Sequence, residues 1–188
     1  MSERGRFLLA TLCGLVLAAM VHIAAILAMP FLAEGDALSR LRTTATSSNA
    51  EIVEANGTSW LPAADPAMVV GACAYNLEEG PLRISARTRG LFQSVSLHGR
   101  GGGVYYALTD RAAVRGALDL VVMTQRQLDE TLATEDENAR SRDVRIVAPN
   151  RSGFAIVRVL AAFPSQRPEA VEAVRSVACT TDPLPSES

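Results

Sequence analysis

The chain opens on a run with no polar period at all. From Phe7 to Ala33, 27 residues pass without an acid, Arg or Lys, and only Thr11, Gly14, His22 and Pro30 fall outside the hydrophobic class. About 20 consecutive apolar residues cross the hydrocarbon core of a bilayer as a helix, so the run predicts one transmembrane anchor with some tilt. A cleaved signal peptide is the competing reading. Its apolar core is shorter, about 7–15 residues, and small residues sit third from and next to the cut. Cleavage after Ala28 would put Ile26 in the third position, and cleavage after Ala33 would put Phe31 there, so the uncleaved anchor is favoured. Arg4 and Arg6 precede the run and Arg40 and Arg42 follow it, which leaves orientation to the short basic start and to Glu34 and Asp36 beyond the far end. The expected topology is a cytoplasmic tail at 1–6, an anchor at 7–33 in a bacterial inner membrane, and the bulk of the chain in the periplasm.

Past the anchor the pattern changes twice. Residues 34–64, with Thr, Ser, Asn and Ala concentrated in TTATSSNAEIVEANGTSW, carry weak periodicity and read as a juxtamembrane linker in which 37–42 continue as a helical turn. From about Asp65 a period of two takes over. Leu82, Ile84 and Ala86 alternate with Arg83 and Arg87, as on a strand with one face inward. In 91–98, Leu91, Val95 and Leu97 share one face and Ser94, Ser96 and His98 the other. A Gly-rich break then leads into 104–108, which predicts a hairpin. Shorter apolar runs at 118–123, 144–147 and 154–160 add strands, the last carrying Arg158 either half-buried or paired. Thr124 with Gln127 predicts a capping box, and Pro168–Arg175 a second helix that returns Cys179 toward Cys73. The fold class expected is mainly β: an antiparallel, β-sandwich-like external domain over 65–182 with one or two short helices, then a tail at 183–188.

Composition narrows the chemistry. All 18 basic residues are Arg, the net charge is −2, and the 19 acids and 16 Arg after the anchor give that part 16 − 19 = −3, so no nucleic-acid partner is expected. Lysine chemistry is excluded. His22 lies in the span, where an ionisable group invites a functional reading, against the plainer one of a neutral imidazole bonded to a backbone carbonyl or packed on a partner helix. Cys13 lies there too, as a small apolar residue. Cys73 and Cys179 are the other two thiols, near the start and end of the external domain, and in an oxidising compartment they are expected to form a disulfide rather than a reactive pair.

No cofactor, metal or catalytic site is expected. Gly99–Gly103 lead into a strand instead of a helix N-terminus, which makes a hairpin tip of what superficially looks like a phosphate loop. His98 has Ser94 and Ser96 on its face and Asp110 across the hairpin. The chain has no GxSxG elbow, so an exposed strand histidine is the plainer reading. A polar face of His98, Tyr105 and Arg111 is the one candidate for ligand or substrate contact. The charged run over 135–145 reads as a solvated loop.

His22-Ile23 and Pro30 in the anchor, Cys73-Ala74-Tyr75-Asn76-Leu77, Gly80-Pro81, Phe92-Gln93-Ser94-Val95-Ser96-Leu97, the Gly-rich turn and Leu108-Thr109-Asp110-Arg111 form a succession. It resembles the small membrane-anchored DUF1254-type proteins of bacteria, from the anchor to Cys179. The resemblance implies a β-sandwich envelope protein related to the DUF1254/DUF1214 proteins, with a DUF1214-type companion as partner, and carries over no catalytic residues. Where such proteins show an aromatic and Asn-Asp around the hairpin, this chain has Gly101-Gly102-Gly103 and Thr109. The expected role is a membrane-anchored periplasmic interaction or binding module acting beside another envelope protein. The alternative is an envelope lipid- or glycan-processing enzyme, or a ligand-binding protein, using the polar face near His98.

Overall fold

The computed structural model describes residues 2–44, 49–53, 65–135 and 143–182. The chain forms two compact units, Met1–Asp36 and Ala37–Ser188. Helix α1, Glu3–Thr44, begins in the first and ends in the second. Its Glu3–Met29 portion reaches a mean hydropathy of 2.5 and is long and apolar enough to cross a membrane. Apolar side chains face outward on all sides of this portion, from Phe7 to Met29, as a lipid-facing helix requires. The hydroxyl of Thr11 donates to the Phe7 carbonyl at 2.9 Å, so that side chain is satisfied within the helix. Cys13 and His22 are exposed on its surface.

In the second unit the described strands form two sheets. One contains β1 (Glu51–Ile52), β2 (Met68–Asn76), β4 (Gln93–Gly99), β5 (Val104–Thr109) and β8 (Ser152–Leu160), in the order β1-β2-β8-β4-β5. The other contains β3 (Leu82–Arg87), β6 (Ala117–Met123), β7 (Val144–Val147) and β9 (Ala178–Thr181), in the order β7-β6-β3-β9. Every pairing is antiparallel except β6 with β7, which lie parallel on either side of helix α2 (Gln125–Thr134). That exception has a cause in connectivity: a parallel neighbour needs a crossover, and α2 supplies it.

Alternation decides what each strand buries. Val69, Cys73 and Tyr75 of β2, Val95 and Leu97 of β4, and Ala155, Val157 and Val159 of β8 meet Leu82, Ile84 and Ala86 of β3 and Leu118, Leu120 and Val122 of β6 in one core. The sandwich is therefore mainly β, as its period-two segments predict. Its flanks differ. At one, Cys73 of β2 is bonded to Cys179 of β9, and helix α3 (Arg167–Arg175) brings Ala170, Ala173 and Val174 into the core beside β1, β2 and β8. Gly71 is what lets α3 approach, since a Cβ there would run into the Val174 side chain. The opposite flank ends in the edge strands β5 and β7.

Helix α3 stops at Arg175 and returns Cys179 toward Cys73 as expected, Cys179 itself sitting on β9 opposite Ile84 of β3. The buried stripe of α3 is Ala170, Ala173 and Val174, with Val171 partly buried. Other local expectations change. The segment expected as linker contains the end of α1, the short strand β1 and the core residue Ala50. Glu135 and Arg145, expected in a solvated loop, form a two-pronged ion pair, one arm at 2.8 Å. Residues 54–64 of the expected linker and 136–142 of the charged run lie outside the described residues.

Candidate functional site

The outer face of the five-stranded sheet carries a polar cluster made by register. β4 pairs with β8 so that Ser94 lies opposite Arg158, Ser96 opposite Ile156 and His98 opposite Phe154. These residues share the parity that points away from the core. Arg158 donates from Nη1 to Ser96 Oγ at 3.0 Å, and Ser96 Oγ lies 3.0 Å from His98 Nε2. His98 Nδ1 lies 2.8 Å from the Gly102 carbonyl oxygen. A carbonyl only accepts, so Nδ1 carries a hydrogen; in the tautomer with its hydrogen on Nδ1 alone, Nε2 is an acceptor for the Ser96 hydroxyl, which also has the Ile156 carbonyl within 3.5 Å. The ring is held flat against Phe154, 4.8 Å between centroids with the planes 9° apart. Phe154 in turn packs with Ile156, Ala72 and Leu41, the last from the final turns of α1. Arg158 is half-buried and has no carboxylate partner among the described residues.

The other side of the same strand pair holds a second polar group. β5 carries one extra residue opposite the Leu97/His98 step. A bulge of this kind places two successive side chains on one face, here Tyr105 and Tyr106, both packed against the core. The Tyr105 and Tyr75 hydroxyls lie 2.8 Å apart, and Tyr75 donates to the His98 carbonyl at 3.3 Å. With that proton committed, Tyr105 donates to Tyr75. Burial pushes both phenols above the ordinary tyrosine range; the bond from Tyr105 moderates the rise at Tyr75 and adds to it at Tyr105. Gly153 makes the arrangement possible, because a Cβ there would collide with the His98 carbonyl oxygen and the Tyr75 ring.

The structure does not bring His98, Tyr105 and Arg111 onto one face. His98 points outward, Tyr105 turns its hydroxyl to the core side, and Arg111 is exposed in a short 3-10 turn (Asp110–Ala112) beyond the far end of β5. Asp110 begins that turn and takes no part in the His98 cluster. Ser94 and Ser96 share the face of His98 as alternation predicts, and only Ser96 bonds to it. The residue that sequence reasoning did not join to this group is Arg158, 62 positions from Ser96. A lone cation in an apolar strand was the available signal, but its partner depends on cross-strand register. Cys73 and Cys179 are bonded as expected. Among the described residues no His, Cys, Asp or Glu cluster gathers to hold a metal.

Chemically, the cluster combines a serine oxygen, an imidazole in hydrogen-bond contact with it and a guanidinium on the same oxygen. A nucleophile and its base need that first contact. Ser96 is only 7% exposed, however, which leaves little of it open to a substrate. The same three groups also make a site for an anion or a hydrogen-bonding partner side chain.

No protein-family model and no curated protein matches the chain. Among solved structures it is similar to the VPA0106 protein from Vibrio parahaemolyticus, at 12% identity and a TM-score of 0.49 over 66% of this chain and 33% of that one. It is also similar to an uncharacterised protein from Burkholderia cenocepacia, at 15% identity and a TM-score of 0.48 over 80% of this chain and 38% of that one. The chain thus spans well under half the length of either protein.

Proposed function

We propose that this chain is a membrane-anchored interaction or binding module of the bacterial envelope, with a cytoplasmic amino terminus, a span in the inner membrane and the sandwich in the periplasm. The observation that carries this reading is the Cys73–Cys179 bond in a unit that follows a helix long enough to cross a bilayer. Such bonds persist in oxidising compartments and are rare where glutathione keeps thiols reduced. The partner nominated by the resemblance is a DUF1214-type envelope protein, with His22 the polar group the anchor would offer to a neighbouring helix. Affinity capture of the tagged full-length chain from crosslinked, solubilised membranes is expected to return one envelope protein reproducibly. Repeated capture of the bait alone, with crosslinking verified on a known complex, would defeat the reading.

A second reading is favoured by the Ser96–His98 contact at 3.0 Å: an enzyme or ligand-binding protein acting on an envelope lipid or glycan. It predicts that Ser96→Ala and His98→Ala fail to complement a deletion strain while accumulating normally. Full complementation by both would remove its only nucleophile and base.

A further inference from the structure

The flank of the sandwich where the sheets end in β5 and β7 holds a cleft of about 270 Å³ between the β5 edge and the start of β6. Its apolar wall includes Leu108, Val114, Leu118 and Val144, and its polar lining residues are Arg87, Arg115 and Asp119. Two guanidinium groups against one carboxylate give these residues a net charge of 2 − 1 = +1. Neither arginine is paired with a carboxylate among the described residues, whereas Asp119 already accepts from the Ser85 hydroxyl at 2.7 Å.

Arg115 is held there by an unusual backbone. Val114 and Ala117 exchange hydrogen bonds of 2.9 and 3.1 Å around a two-residue loop, with φ of 56° at Arg115 and 76° at Gly116. Positive φ at both central positions is the turn that asks for Asn-Gly or Gly-Gly, and an arginine in its first position is disfavoured. Such backbone persists only where the surrounding structure holds it, here the paired Val114–Ala117 hydrogen bonds, and it clusters at functional sites, which motivates a functional hypothesis for Arg115.

From the geometry we infer that this cleft binds a free monoanionic amphiphile, a single apolar chain ending in a carboxylate. The apolar wall takes the chain, and the arginines take the head by paired charge-assisted hydrogen bonds. One net positive charge is neutralised by a monoanion, and Asp119 opposes a dianionic phosphate monoester. The volume lies just below the usual range for small-molecule pockets, which suits one short chain and not a two-chain lipid. The site is separate from the His98 cluster, and the inference is independent of which envelope protein, if any, the chain binds.

The test uses the full chain in phosphatidylcholine nanodiscs, titrated with octanoate and followed by saturation-transfer NMR against empty nanodiscs. Saturable octanoate binding is expected, with 1-octanol binding far more weakly. Arg115→Asn and Arg87→Gln are each expected to weaken octanoate by about tenfold or more, the usual range for a lost hydrogen bond to a charged group. Asn suits the left-handed position, so Arg115→Asn removes the charge without endangering the fold, which its thermal unfolding verifies. Non-saturable binding, equal binding of 1-octanol, or affinity untouched by both substitutions overturns the inference. Displacement of octanoate by phosphatidylglycerol nanodiscs would also overturn it, by assigning the cleft to a membrane phosphodiester.

Discussion

Gly153 shows how narrowly the two polar groups on β4 depend on one missing methyl. The atoms a Cβ would meet are the His98 carbonyl oxygen and the Tyr75 ring, and neither is the free end of a flexible side chain. Gly153→Ala must displace β4 from β8 or expel Tyr75, and overpacking of this sort costs about 1–3 kcal/mol. Denaturant unfolding of the detergent-solubilised chain is the measurement; a change below about 0.5 kcal/mol would mean that Tyr75 is not confined as described. The phenols themselves set a pH dependence. Burial raises both in the folded chain above their unfolded value near 10.0. Below that pH both states keep these protons and stability does not depend on them. Above it the unfolded chain releases protons that the folded chain retains, so stability falls as pH rises, until the folded phenols ionise as well. Unfolding midpoints followed from about pH 8 to about pH 11.5 are expected to decline in the upper part of that range, and the Tyr75→Phe/Tyr105→Phe double variant to decline less steeply. An identical decline in the double variant would remove the phenols as its cause.

At the scale of elements, helix α2 offers the clearest local dependence. Thr124 Oγ1 accepts from the Gln127 amide at 3.3 Å, Gln127 Oε1 accepts from the Thr124 amide at 2.8 Å, and Gln127 Nε2 donates to the Leu77 carbonyl at 2.8 Å. The capping box thus also fastens the helix to the chain after β2. Thr124→Ala is expected to cost about 1 kcal/mol as an ordinary lost cap. Gln127→Ala is expected to cost more, about 2–3 kcal/mol, because it leaves a buried carbonyl without its donor. Equal losses in thermal unfolding would count against the tie to Leu77. This box was legible in the sequence because its three-residue spacing is local. So were β3 and the β4–β5 hairpin, where alternation and the Gly-rich break carry the signal, and β7, where a short apolar run does. What could not be read depends on distant neighbours. The residues of β9 are short and mixed, and become a strand only because β3 offers an edge. The bulge at Tyr105 inverts the face that simple alternation assigns, and so separates Tyr105 from His98. The Arg158–Ser96 contact needs the β4–β8 register, which no local pattern encodes.

At the scale of the whole chain, topology and stability meet in the cysteines. The bond closes a sequence separation of 106 residues, long enough for the chain-entropy effect to be large, and removal of such native bridges costs about 2–5 kcal/mol. Cys13 is free and lies within the apolar span. If the sandwich matures in an oxidising compartment, chain extracted from membranes under rapid thiol blocking and full denaturation carries one maleimide, on Cys13. Reduction before labelling raises this to three. The count changes in a defined way if the proposed orientation is wrong: a sandwich facing the reducing side keeps Cys73 and Cys179 as thiols, and three labels appear without reduction. Cys13→Ser lowers each count by one and so assigns the unreduced label to the span. Three labels before reduction would therefore sink both the periplasmic placement and the contribution of the bridge to stability in the cell. One label, joined to a lower unfolding midpoint after reduction, is the result that the fold and the proposed compartment jointly require.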